Sequence, residues 1–269
     1  MVDFNVDGKI AVVTGGTRGL GMHCAEALVE NGAKTVVVTS RKAKACEDAK
    51  THLEEVAKKN GKSVKIIAIP ADLSDEAQCE KFYEEVAEQV DKVDILIANA
   101  GATWGAPLED HDIKAIKKVI NLNIVAVFHT IKLFTPLLEK AATNEDPSRI
   151  IIMSSIISVL NNDAVGTYGY LASKAAVSHL GRNLAVQFAP RHINVNNILP
   201  GFFPTKMAQG LIDMGGQLLR ETNPRGRLGE KEDLQAALLF LCSKQANYIN
   251  GVDLPVDGGA RLNSPASHF

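Results

Sequence analysis

Seven short runs of consecutive apolar, mostly β-branched residues, separated by longer amphipathic stretches, constrain this chain more tightly than any other feature. The runs cover residues 9–14 (KIAVVT), 35–39 (TVVVT), 64–70, 93–98, 149–154 (RIIIMS), 194–199 and 252–256. A strand with one wet face alternates apolar and polar side chains; these runs do not, so both of their faces must be covered. Between them, apolar residues recur at helical spacing over residues 20–31, 43–60, 74–90, 110–138, 168–188 and 231–243. Gly32 is placed to close the first helix, Ser74 with Ala77 and Gln78 behind it to open the third, and Pro190 to end the fifth. Strands alternating with helices through short connections give an α/β fold, a doubly wound parallel sheet of about seven strands with helices on both faces. The 269 residues suit one domain, and no repeat, low-complexity tract or linker divides them.

Charge and composition remove several classes of partner. A net charge of −2 gives no electrostatic reason to expect nucleic acid or an anionic membrane surface. No apolar run approaches the roughly 20 residues that cross a bilayer. The first nine residues carry two Asp and no basic segment ahead of an apolar one, so they do not read as a secretory signal. The four cysteines, Cys24, Cys46, Cys79 and Cys242, are scattered, which suits reduced thiols and a cytoplasmic setting. The seven histidines show no metal-ligand spacing; His23, His129 and His179 fall in helical stretches as packing or surface residues, and no metal is expected.

The first strand runs into Gly15-Gly16-Thr17-Arg18-Gly19-Leu20-Gly21 and then a helix. Glycines at a strand-to-helix turn let the backbone approach a pyrophosphate, and the helix N-terminus offers it free N–H groups and partial positive charge. The spacing G-x-x-x-G-x-G is neither the G-x-G-x-x-G fingerprint nor a Walker loop, and such a turn alone is equally the mark of a tight βα connection. The second strand adds direction. An NAD site ends that strand in Asp or Glu to accept from the ribose 2′-hydroxyl. Here it ends in Thr39-Ser40-Arg41-Lys42, a neutral residue followed by cations, which suits the 2′-phosphate of NADP(H). Arg18 can approach the same phosphate from the loop, although Arg41 and Lys42 also read as solvated charges opening a helix.

Tyr170 and Lys174 are four residues apart at the start of a helical stretch, hence on one face. A free phenol, with a pKa near ~10, is a poor base at neutrality; a neighbouring ammonium stabilises the phenolate and brings it into range for acid–base work. The pair alone is a common coincidence. Its neighbours carry more weight: RIIIMS ends in Ser154-Ser155, VDILIA in Asn99-Ala100-Gly101, and NVNNIL in Pro200-Gly201, with Asn123 in the long helix between. Ligands of open parallel sheets bind beyond the carboxyl ends of the strands, where these signals fall.

Together, TGGTRGLG at residues 14–21, Asp72-Leu73, ANAG at 98–101, Asn123, Ser155, Tyr170-x-x-x-Lys174, Pro200-Gly201 with Thr205, and VDGG at 256–259 resemble the short-chain dehydrogenase/reductase family over nearly the whole chain. One departure is Ala98, where the family often has Asn. The resemblance implies a Rossmann-type fold and a catalytic set of Asn123, Ser155, Tyr170 and Lys174. Ser155 would bind the substrate carbonyl, Tyr170 would protonate it, Lys174 would lower the phenol's pKa and hold the nicotinamide ribose, and Asn123 would anchor a water in a proton relay. It further implies cofactor contacts from Gly15, Thr17, Arg18, Gly19, Leu20, Gly21, Ser40, Arg41, Asp72, Leu73, Asn99, Gly101, Tyr170, Lys174, Pro200, Gly201 and Thr205. Asp72 would meet adenine, Asn99 the adjoining ribose and Thr205 the nicotinamide end. Ser154 competes with Ser155; Tyr168 competes with Tyr170, but only Tyr170 has the lysine partner. Within the family, GATWGAPLE at 101–109 and PGFFPTKM at 200–207 are similar to NADPH-dependent β-ketoacyl reductases of the rhamnolipid-pathway type.

On this reading residues 1–150 form a cofactor-binding half and 151–269 a catalytic and substrate half, with a lid over 202–229. In that lid Met207, Leu211, Ile212, Met214, Leu218 and Leu219 either face a substrate cleft or pack against helices, and Trp104 is a pocket wall or core residue. The expected substrate is a small, apolar carbonyl compound or alcohol. The resemblance implies a homotetramer through the Tyr170 helix and the last helix and strand; the tail 262–269 contacts a neighbour or stays disordered. The competing readings are an NAD-dependent alcohol or polyol dehydrogenase and a non-catalytic, NADP-sensing regulator. An enoyl reductase, whose Tyr and Lys lie six apart, fits less well.

Overall fold

The computed structural model describes residues 3–160 and 166–263. Its strands are β1 (Ile10–Thr14), β2 (Thr35–Ser40), β3 (Lys65–Pro70), β4 (Ile95–Ala98), β5 (Ser148–Met153), β6 (Ile193–Pro200) and β7 (Asp253–Val256). They form one parallel sheet in the order β3-β2-β1-β4-β5-β6-β7. This is the expected doubly wound, Rossmann-type architecture, and the chain reverses direction across the sheet between β1 and β4. The register sets Val12 beside Val37 and Leu96. Among the described residues the α-helices are α1 (Gly19–Glu30), α2 (Ala43–Lys59), α3 (Glu76–Ala87), α4 (Ile113–Ile120), α5 (Ala126–Ala141), α6 (Tyr168–Phe188), α7 (Gln209–Glu221) and α8 (Lys231–Cys242).

The unbroken apolar runs are explained by two cores, one on each face of the sheet. On one side Val12, Leu96 and Ile150 meet Phe82 and Val86 of α3, Ile131 and Phe134 of α5, and Val177 and Leu184 of α6. On the other Val13, Ile97 and Ile151 meet Cys24 and Leu28 of α1, Leu53 of α2, and Leu234, Leu238 and Cys242 of α8. Alternate residues of each strand serve alternate layers. All four cysteines are free and buried: Cys24, Cys46 and Cys242 in α1, α2 and α8, and Cys79 in α3.

Several boundaries depart from the expectations above. Asp75, not Ser74, caps α3, its carboxylate accepting from Gln78 N at 3.0 Å. The helix expected over 110–138 begins at Ile113, capped by Asp112, and between α4 and α5 it widens into a π turn, Asn121–Val125. The resulting 29-residue stretch Ile113–Ala141 has the length and mean hydropathy of a bilayer span, although Lys117, Lys118, Asn121, Asn123 and Lys132 interrupt it and leave no continuous apolar run. Here its apolar face is core: Ile131, Phe134 and Leu138 are buried against the sheet. The segment expected as a lid, residues 202–229, contains α7, hidden in the sequence by the Gly215-Gly216 pair, and α7 kinks at Gly215. Gly32 follows α1 with φ +91°, as a closing glycine does.

Candidate active site

A cavity of about 570 Å³ opens at the carboxyl ends of the strands, where the chain order reverses. Its floor is the turn after β1. Gly15 has φ +63°, and a Cβ on it would lie 3.0 Å from Ala100 Cα. A Cβ on Gly21 would collide with the Gly15 carbonyl and the Asn99 amide, so the helix can start this close to the strand ends only as glycine. Asn99 stitches the floor together: its Nδ2 donates to Thr14 O (2.9 Å) and Gly15 O (3.2 Å), while Asn99 N and Ala100 N donate to Thr14 Oγ1, each at 3.0 Å. Arg18 stands at the N-cap of α1 without a side-chain capping bond, so the first N–H groups of α1 remain free for an anion.

The walls bring together most of the residues expected to hold a cofactor. Gly15, Thr17, Arg18, Gly19, Leu20 and Gly21 line the cavity, as do Ser40 and Arg41 at the end of β2, Leu73 beyond β3, Asn99 and Gly101 beyond β4, Thr205, and Tyr170 with Lys174. Arg18 and Arg41 are exposed on the rim and form no ion pair among the described residues. Four of the expected site residues lie outside the lining besides Ser155. Asp72 turns its carboxylate to Ser74, accepting from its N (3.1 Å) and Oγ (2.6 Å). Pro200 ends β6, and Gly201 donates its N–H to Val256 O at 2.9 Å, packing β6 against β7. Asn123 lies buried behind the wall.

The structure adds wall residues that the sequence did not single out. Thr39 is one: it lines the cavity, and its Oγ1 is buried without a hydrogen-bond partner. Its position beside Ser40 at a strand end was the available signal. An orphaned hydroxyl, two rim cations and an uncapped helix start suit a dinucleotide carrying an extra phosphate.

Tyr170 lies in the first turn of α6 and Lys174 one turn further on, with Lys174 Nζ 5.6 Å from the centre of the phenol ring. The ammonium donates to Met153 O at 2.7 Å. Ser154 is held by α6, donating to Lys174 O at 3.0 Å and sharing a 2.7 Å hydrogen bond with Ser178 Oγ. Ser155 instead accepts from Ile157 N at 3.3 Å and is hydrogen-bonded to the phenol. Burial raises the Tyr170 pKa above its usual value, and the Ser155 hydrogen bond offsets part of that rise. Burial pushes the Lys174 pKa down to about 8. The expectation that Lys174 lowers the phenol's pKa is therefore corrected for the protein alone: desolvation dominates and the net direction is upward.

Behind this pair, Asn123 is placed by the π turn. Its Oδ1 accepts from Ala102 N, and its Nδ2 donates to Ala102 O and to Ser173 Oγ, each at 2.9 Å. Trp104 neither lines the cavity nor enters the core; it is partly exposed, with its ring edge-on to His111 (4.6 Å), which in turn meets Tyr168 (5.2 Å). Of the expected lid residues, Met207 lines the cavity, Leu218 is exposed, and Ile212 and Leu219 are half-buried. The side chains of Leu211 and Met214, and residues 264–269 of the tail, lie outside the described residues. Glu76, Glu80 and His129 gather on α3 and α5 with ligand atoms within 4.8 Å of one another, a cross-helix cluster that spacing along the chain does not reveal.

Comparison with known proteins follows the same lines. Residues 15–261 match the family model described as Enoyl-(Acyl carrier protein) reductase. The Rhamnolipids biosynthesis 3-oxoacyl-(acyl-carrier-protein) reductase of Pseudomonas aeruginosa is 38% identical over 263 residues, covering 96% of this chain and 98% of that protein. The 3-oxoacyl-(acyl-carrier-protein) reductase FabG of Aquifex aeolicus is 34% identical over 258 residues, covering 96% and 99%. The solved structure of the Pseudomonas aeruginosa RhlG/NADP active-site complex superposes with a TM-score of 0.89 at 38% identity, over 96% of this chain and 98% of that one.

Proposed function

This chain belongs to the short-chain dehydrogenase/reductase family and is an NADP(H)-dependent enzyme of it, and from that premise we propose that it reduces the carbonyl of an apolar ketone or 3-ketoacyl group to a secondary alcohol, reversibly, with Tyr170 as proton donor. The observation that carries this reading is the contact of Ser155 with a half-buried Tyr170 that lines the same cavity as the glycine loop. Bound NADPH supplies the hydride. The α1 N-terminus with Gly15, Thr17, Gly19, Leu20 and Gly21 would hold its pyrophosphate, and Arg18, Ser40 and Arg41 its 2′-phosphate. Leu73 and Asp72 would flank adenine, Asn99 and Gly101 the adjoining ribose, and Lys174 and Thr205 the nicotinamide end, with Pro200 and Gly201 shaping the strand end behind it.

Toward the substrate, Ser155 donates a hydrogen bond to the carbonyl oxygen and orients it. Tyr170 transfers its proton to that oxygen as negative charge develops there, and a raised pKa keeps the proton on the phenol at neutral pH until it is needed. The Lys174 ammonium then steadies the phenolate, and a water held near Asn123 returns a proton. The description of the family model names an enoyl reduction, but the four-residue interval from Tyr170 to Lys174 and the 3-oxoacyl names of the relatives support a ketone.

Following NADPH consumption with ketones, ketoacyl thioesters, quinones and sugars tests the substrate class, and Tyr170→Phe tests the chemistry. That variant is expected to lose at least about 10³-fold in turnover while binding NADPH as before; unchanged turnover refutes the assignment. As to its setting, four buried, unpaired thiols support a reducing, cytoplasmic compartment. Exposed Val125 at the end of the π turn, Phe128 on α5 and Val186 on α6 support assembly into a homotetramer across those helices.

A further inference from the structure

Ser173 stands between Tyr170 and Lys174, fully buried and outside the cavity lining. Its hydroxyl makes two bonds, donating to the Tyr170 carbonyl at 2.7 Å and accepting from Asn123 Nδ2 at 2.9 Å. Chemistry fixes these directions: an amide nitrogen can only give hydrogens, so the serine oxygen accepts there and its single proton goes to Tyr170. The second Nδ2 hydrogen of Asn123 goes to Ala102 O, and Oδ1 receives the Ala102 N–H. Were the amide turned over, Nδ2 would face that N–H, donor against donor. Ser173 and Ala102 thus hold Asn123 in one orientation. The bonds run without a break from the first turn of α6, through the π turn, to the turn after β4. That last turn also runs close to the catalytic lysine: a Cβ on Gly101 would lie 3.2 Å from Asn123 Oδ1 and 3.7 Å from Lys174 Nζ.

We infer that Ser173 is a positioning residue, fixing through Asn123 the span between the phenol-bearing turn of α6 and the Gly101–Ala102 wall, and so setting the reach of Tyr170 to the carbonyl. The inference rests on the carbonyl-reductase reading of the site. Without the hydroxyl, one amide hydrogen of buried Asn123 loses its acceptor and α6 is no longer tied to the turn. A displacement of ~1 Å at a reacting group can cost about 100-fold in rate.

The test compares native enzyme with Ser173→Ala, Ser173→Cys, Asn123→Ala and the Ser173→Ala/Asn123→Ala double variant, using NADPH and the best ketoacyl thioester. Readouts are kcat, KM, NADPH Kd by fluorescence, and Tm. Ser173→Ala is expected to lower kcat about 10- to 100-fold with NADPH Kd within about threefold of native. Ser173→Cys keeps the volume and a weak acceptor, and is expected to retain native Tm with an intermediate kcat. The double variant should lose no more than Asn123→Ala alone, because both act through one connection. Native kcat in Ser173→Ala overturns the inference, as do losses that multiply in the double variant, or a kcat that falls only in step with Tm and NADPH affinity. Should the native chain itself turn over no carbonyl compound with NADPH, the reading of the site falls and the inference with it.

Discussion

Tyr170 and Lys174 are both withdrawn from water, and withdrawal favours the neutral form of each. For Lys174 the sign is concrete. With its pKa pushed down to about 8, the side chain is charged below that pH and neutral above it. Carbonyl reduction needs the proton on Tyr170 and the charge on Lys174, so kcat/KM for reduction is expected to fall about tenfold per pH unit above about 8. A profile that stays flat to pH 10 contradicts this. Arg41 offers a second residue-scale prediction. Two unit charges ~4 Å apart at an effective dielectric of ~20 attract by about 4 kcal/mol, and exposure on the rim leaves a fraction of that. Arg41→Ala should therefore reduce the NADPH-over-NADH preference in kcat/KM about tenfold or more, measured with both cofactors on one substrate. At this scale the sequence was informative wherever chemistry needs a residue type at a fixed interval, as for Tyr170 and Lys174. It favoured Ser155 over Ser154 through the family resemblance alone, since the physical difference is which hydroxyl α6 has already taken. Nor could it give the direction of the Tyr170 shift, which is set by burial.

Helix ends show how local rules succeed and slip. Asp233, in the first turn of α8, accepts from Glu230 N (2.8 Å) and from both terminal nitrogens of Arg227 (2.6 and 2.9 Å). The hydrogen bond from Arg227 holds its carboxyl down at about 2. A lowered carboxylate pKa means that this contribution is complete above the ordinary Asp range and is lost as pH falls toward about 2. Since the group is a third exposed, Asp233→Ala should cost about 1 kcal/mol, a drop of roughly 2–4 °C in Tm at neutral pH that vanishes in acid. The elements themselves were legible because apolar periodicity is strong, and caps were found to within one residue, Asp75 for Ser74. The π turn was not legible, because one extra residue in a helix leaves the apolar pattern almost intact. Yet it is this turn that aims Asn123 inward. Helix α7 was hidden because two adjacent glycines have poor helix propensity and read as a break, and the backbone does leave helical geometry at Gly215, between two helical pieces.

For the molecule as a whole, seven parallel strands between two helical layers followed from the unbroken apolar runs together with the helices that alternate with them, since helices on both faces cover such strands. What the runs could not show is which surface is left over. Val186 is 71% exposed on α6 and Phe128 47% on α5. If these faces meet in a homotetramer, Phe128→Glu or Val186→Glu should shift the mass seen by light scattering to dimer or monomer; a native-size particle in both variants speaks against that assembly. The two-layer plan has one more consequence, carried by the cysteines. Cys24 and Cys242 are shut into one layer and Cys79 into the other, with burial pushing Cys242 up to about 12 and raising Cys24 and Cys79 as well. None can meet an alkylating reagent while the native packing holds. The chain therefore carries its own stopwatches, one per layer, and the pace at which each thiol is labelled records whether the halves of the sandwich come apart in concert or in turn.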